Sequence, residues 1–172
     1  MKAYLAKVAE ATLHVDIGEL ENAVQMIQKV RENGNMVWVV GNGGSAATAE
    51  HFANDLLKMA GVRAVAINSL LPSLLAYGND NGWDRMYADL LGALKKDGDL
   101  LVAISCSGNS PNVVEAAKLF HHNCLIVLTG NKYDSDLAYM DANAKIFAKN
   151  PDIRAQEDVH LSVCHAIAGA LR

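Results

Sequence analysis

Cysteine, proline and basic runs are all scarce in this sequence, which has three cysteines, three prolines and a formal net charge of -4 over 172 residues. The cysteines Cys106, Cys124 and Cys164 are an odd number without CxxC spacing, and each lies among small or apolar residues. This pattern predicts reduced, buried thiols. No stretch is rich in lysine or arginine, which argues against a nucleic-acid partner and leaves a local anion site open.

Long uninterrupted apolar runs are missing near the start of the chain. Within the first twenty residues, charges at Lys7, Glu10, Asp16 and Glu19 interrupt every apolar stretch. A secretory signal and a transmembrane span each need a continuous apolar segment, so neither fits here. We therefore expect a cytoplasmic protein without a membrane partner.

The composition is 51% hydrophobic and 20% charged, which is typical of a globular protein with one well-buried core. We expect a single domain over residues 1–172 that begins with a helical segment at about 1–33. Apolar residues recur at helical spacing from Leu20 to Val30, and the pattern stops at the turn sequence ENGN (32–35).

After this segment the chain alternates between two kinds of pattern. Short runs that are apolar on both faces predict buried parallel strands at 36–40, 64–67, 100–104, 125–128 and 144–148. Helical patterns lie between and after them, at about 45–60, 72–94, 111–121 and 154–171. This alternation predicts an α/β fold, a three-layer αβα sandwich with a doubly wound parallel sheet of about five strands.

Polar turns rich in small residues follow three of these strands, at the carboxyl ends where doubly wound sheets bind ligands. They are GNGGS (41–45), SCSGNS (105–110) and TGN (129–131). The first is not a dinucleotide fingerprint, because Ala46 stands where G-x-G-x-x-G needs its third glycine. The lysine and serine or threonine pair of a P-loop is missing as well. A bare turn remains an alternative for this stretch.

The second turn favours a phosphate site. Ser105, Ser107 and Ser110 gather hydroxyls just before Pro111, a residue suited to the first position of a helix. Backbone N–H groups at a helix start, together with several hydroxyls, form a neutral cradle for an oxyanion that needs no lysine. Capping of the following helix would account for one serine but hardly for three. A sugar phosphate carries an oxyanion that such a cradle can bind.

Five motifs, taken in order along the chain, resemble those of the SIS-domain phosphosugar isomerases, above all the sedoheptulose 7-phosphate isomerases, also called phosphoheptose isomerases. The motifs are GNGGSAATAEHFANDL (41–56), GND (78–80), ISCSGNSPNVVEA (104–116), LTG (128–130) and EDVHLSVCH (157–165). The resemblance implies an SIS-like fold and a cytoplasmic homotetramer with active sites between subunits. It also implies interconversion of a ketose phosphate and an aldoheptose phosphate.

The same resemblance assigns substrate contacts within these motifs. The residues concerned are Asn42, Gly43, Gly44, Ser45, Asn79, Asp80, Ser105, Cys106, Ser107, Ser110 and Glu157. Asn79 and Asp80 would meet sugar hydroxyls, and the turn that carries the serines would hold the phosphate. Cys106 stands where the family usually has threonine, so a weak thiol donor replaces a strong hydroxyl while the backbone N–H is kept.

His51 and Asp55 lie four residues apart, directly after the first turn, so a helix would place them on one face. This spacing can bind one divalent metal ion or place a base beside it. The resemblance implies a zinc site formed by His51, Asp55, Glu157 and His165, with Asp55 and His165 as the acid–base pair. Asp55 is one methylene shorter than the family's usual glutamate, and Glu157 stands in place of a glutamine.

Glu157 and His165 are eight residues apart, about 12 Å along a straight helix, so one helix does not easily bring both to one ion. Either Glu157 precedes the helix, or the two residues meet through contact between subunits. The face of His160 lies about 140° from that of His165, and we expect His160 to be structural.

With these residues, the resemblance implies an aldose–ketose isomerase that moves a proton between C1 and C2 of a phosphorylated sugar, most of all sedoheptulose 7-phosphate, through an enediol. Two alternatives stay open. Some SIS-domain relatives are non-catalytic phosphosugar-binding or regulatory proteins, and the changes at Asp55 and Glu157 fit them. An isomerase of a hexulose phosphate is the other, because the segment before GND is shorter than is usual in the family.

Overall fold

The computed structural model describes all residues, 1–172, and its strands form one parallel sheet. The strands are β1 (Val37–Gly41), β2 (Ala64–Ala66), β3 (Leu100–Ser105), β4 (Leu125–Thr129) and β5 (Ala144–Phe147). Every strand begins and ends within one residue of the apolar run that predicted it. These bounds confirm the predicted strands. The prediction was possible because a strand that is covered on both faces is apolar on both faces.

Helices cover both faces of the sheet, which gives the predicted three layers. They are α1 (Lys2–Leu13), α2 (Ile17–Glu32), α3 (Gly44–Ala60), α4 (Leu71–Asn81), α5 (Met86–Leu94), α6 (Pro111–Ala117), α7 (Asp136–Tyr139) and α8 (Ile153–Ala170). Helices α1, α2, α3 and α8 share one hydrophobic core with the sheet, and α4 to α7 share the other. Side chains of β1 alternate between the two, with Val37 and Val39 in the first core and Trp38 and Val40 in the second.

The strand order is β2-β1-β3-β4-β5, so the direction of winding reverses between β1 and β3. A sheet of this order binds its ligand in the crevice outside the carboxyl ends of these two strands. In the register of the sheet, Gly41 at the end of β1 pairs with Ile104 near the end of β3. The two glycine- and serine-rich turns therefore leave the sheet side by side.

The predicted helix at 72–94 is wrong as a single element, because α4 and α5 are separated by a turn at residues 82–85. Gly82 has a φ of +89°, a backbone conformation that ends a helix and favours glycine. The sequence carries a signal for this turn, the pair Asn81 and Gly82 within a stretch at 78–85 that has one apolar residue, but apolar residues at helical spacing on both sides led to one predicted helix. The helix predicted at 111–121 ends early, at Ala117.

The predicted helical segment at the start of the chain consists of α1 and α2. The carboxylate of Asp16 caps α2 by accepting a hydrogen bond from the N–H of Gly18 at 2.9 Å. Helix α1 packs on α8, where the Tyr4 hydroxyl donates to Asp158 at 2.6 Å. None of the helices combines the length and the apolar composition that crossing a bilayer requires.

Candidate active site

The turn after β1 presents backbone N–H groups at the reversal point of the sheet. Gly43, the N-cap of α3, has a φ of +55°, which L-residues with a side chain rarely adopt. Because α3 begins at Gly44, the first N–H groups of this 17-residue helix have no partner within it. Their partial positive charge favours an anion.

The turn after β3 brings three hydroxyls together. Ser105 Oγ lies 3.0 Å from Ser110 Oγ and 3.3 Å from Ser107 Oγ. The two turns, residues 41–45 and 105–110, are called the phosphate cradle below. A cavity of about 130 Å³ lies between them, lined by Asn42, Ser45, Ile104, Ser105, Cys106, Ser107, Ser110, Ile153 and Glu157. None of these residues is basic, and Glu157 adds one carboxylate to a lining that is otherwise neutral.

His51, Asp55 and His165 converge next to the phosphate cradle, where α3 packs against α8. His51 Nε2 and His165 Nε2 are 3.1 Å apart, and Asp55 Oδ2 lies 3.5 Å and 3.7 Å from these nitrogens. The Asp55 side chain is nearly buried, while the two histidine side chains are half exposed. A carboxylate and two imidazoles are thus held together at the surface of the crevice.

These three donors fit a divalent metal ion. Tetrahedral coordination with Zn–N bonds of 2.0–2.1 Å places two ligand atoms about 3.3 Å apart, close to the spacing of the two imidazole nitrogens. Two histidines and one carboxylate, with a further position left for substrate or water, are a ligand set of catalytic zinc sites. The structure therefore brings together three of the four predicted ligands.

Glu157, the fourth predicted ligand, is not part of this cluster. Its carboxylate lies against Gly44, where a Cβ atom would stand 2.5 Å from Glu157 Oε1, so a larger residue here would displace the Glu157 carboxylate. Helix α8 begins at Ile153, and the alternative that Glu157 precedes this helix is therefore wrong. Glu157 lines the cavity of the phosphate cradle and also an adjoining cavity of about 280 Å³ beside His51.

Asn79 and Asp80 lie apart from these groups. They occupy the last turn of α4, where both are exposed and Asn79 Nδ2 donates to Asp80 Oδ1 at 2.9 Å. Neither residue lines the two cavities next to Glu157. Helix α4 packs on the opposite face of the sheet from α3 and α8, which keeps the pair away from His51 within one chain.

His160 is buried behind the cradle and is structural, as predicted. Its Nε2–H donates to the backbone oxygen of Thr129 at 3.0 Å, which leaves Nδ1 as the acceptor, 3.8 Å from Cys106 Sγ. Burial lowers the pKa of His160 to about 4. Burial, followed by the charge of Glu157, raises the pKa of Cys106 to about 11, so the cradle contains a neutral thiol.

Sequence reasoning missed the buried polar contacts that hold the cradle together. Asn112, in the first turn of α6, is fully buried and forms two hydrogen bonds with Asn42. Tyr87 lies below the same turn, and its hydroxyl donates to the Gly41 backbone oxygen at 2.6 Å. A single asparagine in the otherwise apolar face of α6 was the available signal, because a buried amide needs partners.

Comparison with known proteins agrees with the resemblance seen in the sequence motifs. The family model of the SIS domain matches residues 2–129. The chain is similar to the phosphoheptose isomerase of Aliarcobacter butzleri, at 37% identity over 86% of this chain and 81% of that protein. Identity to the phosphoheptose isomerase of Campylobacter concisus is 45%, over 61% of this chain and 59% of that protein.

A solved structure of phosphoheptose isomerase from Neisseria gonorrhoeae superposes on the fold. The TM-score is 0.90 at 30% identity, and the match covers 99% of this chain and 97% of that one. The chain therefore belongs to the SIS domain family, in the branch of the phosphoheptose isomerases.

Proposed function

We propose that the protein is an aldose–ketose isomerase that interconverts sedoheptulose 7-phosphate and a heptose 7-phosphate through an enediol. The observation that carries this proposal is the position of Glu157 between two groups of different chemistry. The hydroxyls and helix N–H groups of the phosphate cradle lie on one side, and the His51, Asp55 and His165 cluster lies on the other. A substrate with a phosphate at one end and a carbonyl at the other suits this arrangement.

Different residues bind the phosphate and transfer the proton. The phosphate cradle binds the phosphate, and this binding energy positions the distant reacting carbons. Asp55 accepts the carbon-bound proton, the electron pair forms the enediol double bond, and His165 donates a proton to the former carbonyl oxygen. Asp55 then returns its proton to the neighbouring carbon while the hydroxyl on the first carbon gives its proton back to His165, so the carbonyl moves to the first carbon and both side chains are restored. Glu157 accepts hydrogen bonds from sugar hydroxyls between the two ends.

Zinc is the metal that we propose for this site, held by His51, Asp55 and His165. When zinc occupies His165 Nε2, that nitrogen carries no proton, and the metal would take over the role of His165 by polarising the substrate carbonyl and stabilising the developing oxyanion, while the second carboxylate oxygen of Asp55 would stay available as the base. Glu157 lies outside the three-residue cluster, so we assign it to the sugar hydroxyls and not to the metal.

Sugar phosphates are expected to raise the Tm of the protein, whereas the same sugars without phosphate should not. A ligand at one hundred times its Kd adds about 2.7 kcal/mol of stability. For a chain of this size, that corresponds to roughly 5–10 °C in Tm. Thermal unfolding with sedoheptulose 7-phosphate and sedoheptulose measures the difference, and equal shifts would contradict a phosphate cradle. Conversion of sedoheptulose 7-phosphate, followed by separation of the sugar phosphates, tests the isomerase directly.

We also propose that the protein is a homotetramer. Helices α2 and α8 leave an apolar groove of about 330 Å³ between them, lined by Leu20, Glu21, Val24, Gln25, Ala166, Ile167 and Ala170. An exposed apolar groove of this kind is typical of a surface covered by another copy of the chain. Light scattering at micromolar concentration should give four times the mass of the chain. The mass of a single chain would contradict assembly and with it an active site shared between subunits.

A further inference from the structure

A pair of asparagine side chains joins the two turns of the phosphate cradle. Asn42 Nδ2 donates to Asn112 Oδ1 at 2.8 Å, and Asn112 Nδ2 donates to Asn42 Oδ1 at 3.0 Å. Asn42 follows β1, whereas Asn112 lies in α6 directly after the serine turn, 70 residues later. The reciprocal pair therefore connects two elements that are distant in sequence.

Only certain side chains can form this link. Two reciprocal hydrogen bonds require that each group carries a donor and an acceptor side by side, as primary amides do. Asn112 is fully buried, and its Oδ1 also accepts the N–H of Val113 at 3.0 Å, which holds the side chain at the start of α6. Because the pair is neutral, it lies near the cradle without repelling a phosphate dianion.

Asn42 is engaged from its other side as well. The Tyr87 hydroxyl lies 3.1 Å from Asn42 Oδ1. Both polar atoms of the Asn42 side chain thus have partners within the protein, which leaves only the second N–H of Nδ2 for a ligand. The Asn42 side chain therefore holds the turn that carries the N–H groups of Gly43 and Gly44.

We propose that Asn112 is a positioning residue for phosphate binding. Through Asn42, it holds the N–H groups at the start of α3 at a set distance from the hydroxyls of Ser105 and Ser110. This role rests on the proposed function, because it assumes that the cradle binds a phosphate. Binding groups must stay within about 0.5 Å of their productive positions, so loss of the link weakens binding although no group that touches phosphate is removed.

The test is a double-mutant cycle with Asn42→Ala, Asn112→Ala and the double variant. The measurements are the Kd for inorganic phosphate and the KM and kcat for sedoheptulose 7-phosphate. We expect each single variant to raise Kd and KM about tenfold, with kcat changed less than about threefold. The double variant should be no weaker than either single one, because each substitution breaks the same link.

Two further variants keep the test decisive. Asn112→Leu keeps the branched side-chain shape without adding a charge if alanine prevents folding, and it should also raise Kd, because an alkyl group neither donates to nor accepts from Asn42. Ile27→Val removes one methyl group from the core at α2, far from the cradle, and controls for lost stability. It should leave Kd and KM within about twofold of wild type, since stability and site geometry are separate there.

Unchanged Kd and KM in the Asn112 variants would overturn the role of Asn112, as would single effects that multiply in the double variant. A wild-type protein that binds no phosphate and converts no sugar phosphate would instead contradict the proposed function, and the role of Asn112 with it. Binding by wild type, measured first, separates these two failures.

Discussion

The variant His165→Asn is expected to lose about 10²–10⁴-fold in kcat, the usual contribution of a positioned acid or base, and to keep its stabilisation by sugar phosphate. His165 Nε2 lies 3.1 Å from His51 Nε2 and 3.7 Å from Asp55 Oδ2, within the cluster assigned to proton transfer. The phosphate cradle consists of residues 41–45 and 105–110, so the substitution at His165 leaves it intact. Asparagine also removes one metal ligand, so the zinc content should fall.

Turnover of sedoheptulose 7-phosphate, metal analysis and the phosphate-induced shift in Tm measure the three effects. His122→Asn is the matched control, because His122 is exposed and pairs with Asp141 at 2.7 Å, outside the site. Full activity of His165→Asn would rule out its role. A wild type that binds sugar phosphates, contains no metal and converts neither heptulose nor hexulose phosphates, with Asp55→Glu equally inactive, would identify a non-catalytic phosphosugar-binding protein.

A second large effect is expected from pH, through the buried His160. Its pKa is lowered from 6.5 to about 4 by burial, and the hydrogen bond to Thr129 offsets this only in part. Between these values the unfolded chain binds a proton that the native protein does not, so the free energy of unfolding falls as pH is lowered from 6.5 towards 4. The full difference is on the order of 3 kcal/mol, and it is reached once the native protein also binds the proton.

Urea unfolding between pH 7.5 and 5 measures this dependence in wild type and in His160→Gln, whose side chain does not titrate. The two curves should converge as pH falls, because only wild type carries the histidine contribution. Carboxylates with lowered pKa, such as Glu115 and Asp152, lose their stabilisation mainly below about pH 5 and cancel in the comparison. Parallel curves for the two proteins would show that His160 does not cause the loss.

Most of the fold could be predicted because its main signals are local. A strand covered on both faces has to be apolar on both faces, and the runs at β1, β3 and β4 have this property. The break at Gly82 had a local signal as well, because residues 78–85, GNDNGWDR, contain one apolar residue and the turn-forming pair Asn81 and Gly82, but the prediction used only the apolar spacing on either side. Strand order was also beyond the sequence pattern, since it depends on which helix crosses which face of the sheet.

Part of the candidate site was predictable from the sequence, and part of it was not. The serines of the cradle and the pair His51 and Asp55 were predictable, because turn chemistry and helical spacing act within a few residues. The contact of Glu157 with Gly44 was not, because it depends on how α8 packs against the turn that begins α3. Zinc, a homotetramer and a cytoplasmic location stay predictions.

The amino-acid sequence by itself determined the strands, the glycine- and serine-rich turns after β1 and β3, and the identity of the titratable groups near them, because these follow from side-chain chemistry and short-range spacing. Only the tertiary structure decided which of these groups meet. Packing of α3 on α8 brings His165 to His51 across 114 residues, and the β1–β3 pairing brings Asn42 to Asn112 across 70. Hydrogen bonds of a few ångströms between such distant residues depend on the packing of the whole chain, and no local pattern encodes them.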